Sequence, residues 1–351
     1  MNQTFNRKDL LAAVRAVMKA MPRKINDKNK ILGHVLIKGG VVTATDLDLR
    51  ISVPVIMATQ TLEQVFGEVA LDAKGVVSVL TALTTPQVTI VSDTEGHGAK
   101  VNGLQVNGLD PVDFPDAPGI YTENLKRSSI DAKSLSRALD QTLFATAKFD
   151  QKSILGAVYM EPTALTATDG SRLSNVAGVD FQGDIGAIVP SEMLNKVKPL
   201  IDKLKGVIQF TQAPGYLHVT SLDFSAVIRL TGGEYPRYSE LFPSDVEQKM
   251  EFDRDAMIGA LKVLKANLEP RTNLIKLDPE TGVITNSTDS VTVPFKVVGD
   301  VKPFALNFKY FLEALESLNL PQVVAEMQGA LKPIVFTENN YKHLLMPVQA
   351  R

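Results

Sequence analysis

An apolar residue, then Asn or Asp, then Leu or Met with Ala three positions on, occurs three times in the chain: "FNRKDLLAAV" (5–14), "IDAKSLSRAL" (130–139) and "FDRDAMIGAL" (252–261). The polar residue in each (Asn6, Asp131, Asp253) stands where a helix N-cap stands, and the apolar residue before it suits a hydrophobic staple. A second set of helical starts, "LDAKGVVSVL" (71–80), "VPSEMLNKVK" (189–198) and "LNFKYFLEAL" (306–315), follows at similar intervals. Between them lie short alternating or β-branched runs such as "HVLIKGGVVTAT", "GAVYMEPTALTAT" and "NLIKLDPETGVITNST", broken by Gly, Pro, Asn and Asp. The pattern predicts six helices, over 6–19, 71–83, 131–148, 191–205, 253–267 and 306–318, set among mostly antiparallel strands.

Two further landmarks recur in the same order. One is a Thr-Asp pair, Thr45-Asp46, Thr168-Asp169 and Thr288-Asp289; the other is a strand ending in proline, "VDFP" (112–115), "GEYP" (233–236) and "LLMP" (344–347). The first helical starts are spaced by 125 and 122 residues and the second by 118 and 117. Four collinear landmarks at nearly constant spacing imply one structural unit written three times. The expected fold is α+β, three repeated domains at 1–120, 127–245 and 249–351, each with two helices packed on antiparallel sheet. On this pattern the Thr-Asp pair closes an equivalent turn in each copy, since both side chains bond nearby backbone amides. A catalytic carboxylate rarely comes in triplicate.

Composition narrows the chemistry. The 351 residues contain no cysteine, which removes disulfides, thiolate catalysis and cysteine-ligated zinc together. The four histidines, His34, His97, His218 and His343, have no metal-ligand spacing. No phosphate-binding loop, H-E-x-x-H or G-x-S-x-G motif occurs, and no copy of the Thr-Asp pair clusters further acids. The start lacks the apolar core of a signal peptide and no run is long enough to span a membrane, so a cytoplasmic protein is expected.

Charge adds a direction. The chain carries a formal −2, yet the six predicted helices together carry +6 and the remainder −8. Helices sharing one face would present a mildly basic surface to a polyanion, although Lys and Arg are also ordinary helix formers on solvated faces. Domains of about 120 residues are roughly 35 Å across, and six of them in a ring leave a hole about as wide as one, whereas three leave far less. A chain with three would close such a ring as a head-to-tail homodimer.

The segments "ILGHVLI" (31–37), "ATDLDLRI" (44–51), "DPVDFP" (110–115), "ATDGSRL" (167–173), "GGEYPRYSELFP" (232–243), "LNFKYFLEAL" (306–315) and the tail "YKHLLMPVQAR" together resemble the bacterial DNA polymerase III beta-subunit family, the sliding clamps. The resemblance runs the whole length and keeps the order of the repeats. It implies a homodimeric ring around duplex DNA, a processivity factor with no catalysis and no cofactor. It also implies a docking pocket for the Gln-Leu-x-Leu-Phe type segments of the replicative polymerase subunit, the clamp loader and repair polymerases. Matched position by position, that pocket falls on Thr168, Gly170, Arg172, Leu173, Pro236, Leu241, Asn307, Tyr310, Leu344, Leu345, Met346, Pro347 and Val348. The chain departs from the family at Ser171, Glu240 and the added Gln349-Ala350, which bears on the preferred peptide. For DNA the resemblance points to Arg23, Lys24, Lys148, Gln151 and Lys152, and the helix charges add Arg7, Arg15, Arg137, Lys196, Lys198 and Lys262. Two other classes stay open at this point: a repeat scaffold that binds protein partners without encircling DNA, and a carboxylate- and magnesium-dependent nuclease.

Overall fold

A computed structural model of the chain describes residues 1–57, 67–93, 97–119, 125–148, 153–243, 245–269 and 273–349. The first repeat runs β1 (Asn2–Asn6), α1 (Arg7–Val17), β2 (His34–Lys38), β3 (Val41–Thr45), β4 (Leu49–Pro54), β5 (Glu68–Asp72), α2 (Ala73–Ala82), β6 (Gln87–Ser92), β7 (Ala99–Val101) and β8 (Leu104–Val106), followed by the two-residue β9 (Gly108–Leu109). The second runs β10 (Lys126–Asp131), α3 (Ala132–Thr142), β11 (Ala157–Glu161), β12 (Ala164–Thr168), β13 (Arg172–Ala177), β14 (Gln182–Gly183), β15 (Ala187–Pro190), α4 (Ser191–Ile201), β16 (Val207–Ala213), β17 (Tyr216–Thr220) and β18 (Ser225–Arg229). The third runs β19 (Gln248–Asp253), α5 (Arg254–Leu264), β20 (Leu274–Asp278), β21 (Val283–Thr285), β22 (Ser290–Thr292), β23 (Lys296–Val298), β24 (Phe304–Asn307), α6 (Phe308–Glu316), β25 (Gln322–Met327), β26 (Ile334–Glu338) and β27 (Tyr341–Leu345). Setting aside the short β9, β14 and β23, the element order is the same three times.

The helices start as the pattern predicts because the last residue of the preceding strand is the cap. Asn6 accepts from the amides of Lys8 and Asp9, Asp72 from Gly75, Asp253 from Ala256, and Asn307 from Tyr310. The apolar residues before the first caps, Phe5, Ile130 and Phe252, are all buried. Each helix then buries one stripe, in α1 Leu10, Ala13, Val14 and Val17, and in α6 Phe308, Phe311, Ala314 and Leu315. The fourth landmark needs correction. Only "LLMP" closes a strand; Pro111–Asp113 is a 3-10 turn capped by Asp110, and 233–236 is irregular, entered through Gly233 at φ +113°. Proline at the first position of a turn and a positive-φ glycine both break a strand that alternation alone would allow.

The described chain falls into two compact units, Met1–Lys133 with Phe181–Leu230, and Ser134–Asp180 with Thr231–Arg351. The first contains a four-stranded sheet, β1-β6-β7-β8, and a ten-stranded one, β14-β10-β16-β17-β18-β4-β3-β2-β5-β9. In the second, one sheet carries the order β11-β12-β13-β27-β26-β25-β19-β23, and the other is β22-β21-β20-β24. The middle repeat is thus shared: its eighth strand β18 pairs with β4 of the first repeat, and its fourth strand β13 pairs with β27 of the third. All of these pairings are antiparallel. Among the described residues no helix is long and apolar enough to cross a membrane.

Candidate functional site

A turn opened by threonine sits at the end of the third strand of each repeat. In the first, Thr45 Oγ1 donates to the Leu49 carbonyl and Asp46 Oδ1 accepts from the amides of Asp48 and Leu49. In the second, Thr168 Oγ1 donates to the Arg172 carbonyl and Asp169 Oδ1 accepts from Ser171 and Arg172. In the third, the same place is held by Thr285-Asn286, not Thr288-Asp289: Asn286 Oδ1 accepts from the amides of Thr288 and Asp289. The backbone fixes this alignment, since Asp46, Asp169 and Asn286 each donate to a carbonyl three residues on, at 3.1, 3.3 and 3.1 Å. Asn and Asp cap such a turn equally well, so the third copy of the turn lies three residues before the Thr288-Asp289 pair.

The turns differ in what they tolerate. Leu47 has φ +78° where Gly170 has +87°. A left-handed leucine costs roughly 1–2 kcal/mol, which Asn largely avoids. Because Leu47 is 58% exposed and loses little burial, Leu47→Asn is expected to stabilise the protein by about 1 kcal/mol. A urea midpoint equal to or below that of the parent would contradict the strain.

By the same alignment Arg172 occupies the place of the buried Leu49, and the structure is built to hold it. Its side chain is 1% exposed; Nε donates to Asp169 Oδ2 at 3.0 Å and Nη1 to Glu313 Oε2 at 2.5 Å. Nη2 donates to the Phe144 carbonyl, and the guanidinium lies 4.1 Å from the Tyr310 ring centroid. Arg172, Asp169 and Tyr310, together with Asn307, Lys148, Lys309 and Asn273, line a cavity of about 430 Å³. Beside Arg172, His343 is fully buried with Nδ1 2.8 Å from Ser174 Oγ, and burial pushes its pKa down to about 3, so the ring is neutral.

The neighbouring residue faces the other way. Successive strand residues alternate between faces, and Leu173 pairs with Leu344, which pairs with Val335. These three form a buried apolar cluster on which Tyr238, Phe242 and Met346 pack. The Tyr238 hydroxyl donates to Glu161 Oε2 at 2.5 Å, which fixes the ring. Met346 is held in turn by its amide, which donates to the Ser171 carbonyl at 2.9 Å.

The expected pocket residues therefore fall into groups. Arg172, Asn307 and Tyr310 line the polar cavity; Leu173, Leu344 and Met346 belong to the apolar cluster; Thr168 and Gly170 form the turn beside both. Leu345 pairs with Arg172, on the opposite sheet face from Leu344, and is fully buried. Val348 donates to the Ala305 carbonyl at 2.8 Å and lines a separate cavity. Pro236 is exposed, Pro347 half-buried and Leu241 50% exposed, with Phe242 rather than Leu241 on the cluster. Tyr238, Phe242, Val335 and Glu313 were not read from the sequence. Val335 lies in the continuous apolar run Ile334–Phe336 of β26, and nothing local says which face it takes or that its strand meets β13 through β27.

The basic residues are in different states. Arg7 donates to the carbonyls of Thr85 and Leu80, closing the C-terminal end of α2, and Arg15 lies 3.4 Å from Thr81 Oγ1. Lys196 pairs with Asp46 at 2.9 Å and Lys198 with Asp202 at 2.8 Å, both with side chains less than 20% exposed. Lys148 lies 3.6 Å from Glu313 and Arg137 3.8 Å from Glu338. Arg23 is 85% exposed on its side chain, 3.6 Å from Glu192, and Lys24 and Lys262 are exposed. Gln151 and Lys152 lie outside the described residues. Among the described residues no three His, Asp or Glu side chains cluster as metal ligands.

No protein-family model matches the chain. It is 25% identical over 373 residues to the beta sliding clamp of Synechococcus elongatus, covering 98% of each, and 24% identical over 314 residues to that of Staphylococcus aureus, covering 81% of this chain and 80% of the relative. Among solved structures, the DNA polymerase sliding clamp of Caulobacter crescentus aligns with a TM-score of 0.88 at 20% identity, covering all of both chains. The DNA polymerase III beta subunit of Pseudomonas aeruginosa aligns at 0.87 and 21%, again over both whole chains. With the same fold and sequence likeness from end to end, the chain is similar throughout its length to the beta sliding clamps.

Proposed function

We propose that the protein is a DNA polymerase processivity factor: a homodimeric ring, working in the cytoplasm, that encircles duplex DNA and tethers replicative and repair polymerases and the clamp loader. The three repeats (1–120, 127–245 and 249–351) are its building blocks, and it carries out no catalysis. The observation that carries this reading is a pair of sheet edges left without a partner strand among the described residues. Both internal junctions join the fourth strand of one repeat to the eighth strand of the next, β4 to β18 and β13 to β27. One fourth strand, β22, and one eighth strand, β8, end their sheets. A second copy offers each its missing partner, so the same junction made twice more closes two chains head to tail. The apolar cluster of Leu173, Leu344 and Val335, partly open under Met346 and Phe242, suits the Leu and Phe of a docking segment, and the cavity at Arg172, Asn307 and Tyr310 suits its polar end.

Two measurements test the reading together. The solution mass is expected at twice 38.1 kDa, and protein loaded on nicked circular DNA is expected to stay there and to leave once the circle is cut. Indifference to topology would favour a scaffold that binds without encircling. Arg23→Glu with Lys24→Glu is expected to shorten retention on circles, with the largest effect at low salt, because phosphate contacts act through counterion release. Retention unchanged at every ionic strength would remove these residues from the DNA-facing set.

A further inference from the structure

The junction of β4 with β18, in the first unit, carries a cavity of about 240 Å³ that the proposed function leaves unused. Its register repeats that of the other junction: Leu49 pairs with Ile228 and Arg50 with Val227, as Arg172 pairs with Leu345 and Leu173 with Leu344. Position for position, Val227 therefore stands for Leu344, Arg50 for Leu173 and Arg229 for Met346. The place is the same, but two of its three apolar groups are now guanidiniums.

Arg50 is half-buried; Nη1 donates to the Pro115 carbonyl at 2.5 Å and the guanidinium lies 5.5 Å from the centroid of the Phe114 ring. Among the described residues no carboxylate comes within ion-pair distance of it, although Asp116 also lines the cavity. A cation partly withdrawn from water with no carboxylate in ion-pair contact gains from an anion brought to it. Burial lowers the pKa of Arg50, with Asp116 opposing, as expected of a cation short of counter-charge. Arg229, the second guanidinium, is exposed and 3.3 Å from Asp48. Leu47, Val227, Pro115 and Pro118 give the rest of the lining an apolar side, with Thr45, Tyr216 and Asp116 completing it. Leu47 stands 58% exposed in its strained backbone conformation, a cost that folding alone does not explain. The volume is below the roughly 300–1,000 Å³ of small-molecule sites, so the fit is to one or two side chains of a larger partner.

We propose that this cavity docks a short peptide segment in which an acidic side chain stands next to an aliphatic one. The carboxylate lies between Arg50 and Arg229, and the aliphatic group packs on Leu47, Val227 and Pro115. Every residue the site uses belongs to the first unit, whereas the groove at Met346 belongs to the second.

The test is fluorescence anisotropy on the full chain with a fluorescein-labelled acetyl-Gly-Asp-Leu-Gly amide and its Asn counterpart. Saturable binding of the Asp probe is expected, about tenfold weaker for the Asn probe and about tenfold weaker for Arg50→Met, the loss of one charge-assisted pair. Met346→Asp is expected to leave this affinity unchanged. Equal binding of the two probes, no saturation up to millimolar protein, or loss on Met346→Asp would each overturn the proposal. Should Arg50→Met fail to fold, the exposed Arg229→Gln must weaken the Asp probe by about threefold or more; an unaltered affinity there overturns it too.

Discussion

Met346→Asp is expected to lower affinity for a Gln-Leu-x-Leu-Phe peptide by about a hundredfold while the protein melts where the parent does. Met346 lies on Leu173, Leu344 and Val335, so the variant puts a carboxylate over the apolar floor that would receive the peptide's Leu and Phe. A central residue of this kind is worth roughly 2–4 kcal/mol, or about 30- to 1,000-fold in affinity. Folding is spared because Met346 is only partly buried and its one backbone bond, to the Ser171 carbonyl, does not involve the side chain. Deleting the chain from Leu344 is the cruder experiment, and the structure argues against it. It would remove two residues of β27, one of them the fully buried Leu345, and would report unfolding rather than docking. Truncation from Met346 avoids this. Isothermal titration with the peptide decides the matter: a Kd equal to that of the parent would place docking elsewhere.

Arg172→Ala is expected to destabilise the protein by about 3–5 kcal/mol, the usual cost of removing one member of a buried ion pair. The lost charge is the hub of an array. The Asp169 side chain is 8% exposed and would keep its backbone donors and the Tyr310 hydroxyl but no cation, whereas Glu313 would keep Lys148 at 3.6 Å. The array ties the turn after β12 to α6 and to the Phe144 carbonyl, so its loss should also loosen the polar cavity. Arg172→Leu, which restores the residue type of the equivalent Leu49, tests how much of the cost is unpaired charge. It too leaves Asp169 without its cation, and should recover only the packing part. A denaturation midpoint within about 0.5 kcal/mol of the parent for the alanine variant would show that the ion pairs are energetically neutral.

The local half of this architecture was legible in the chain and the long-range half was not. Asn6 and Asp253 announced their helices because a cap bonds to amides two or three residues on, so cause and effect share one short stretch. Nothing local announced that β13 lies against β27, about 170 residues later, or that the middle repeat is divided between two sheets. Those pairings depend on which strand edges are left open once each repeat has folded. The site was half-read for the same reason. Leu344 and Met346 could be matched to a family tail, while Val335 and Phe242 reach the same cluster only through sheet register and a turn. The third Thr-Asp match failed because identity of letters outweighed equivalence of bonds; Asn286 makes the bond that Asp46 makes, and Asp289 does not.

The sharing of the middle repeat also constrains synthesis. When Ala177 leaves the ribosome, β13 is complete but its partner β27 is still 164 residues from beginning, at Tyr341. At roughly 5–20 residues per second, translation leaves that edge unpaired for about ten to thirty seconds. The first unit can finish once Arg229 has emerged, whereas the second must await nearly the last codon. A prematurely terminated product would carry a folded front half trailing an adhesive strand, a natural client for chaperones and proteases.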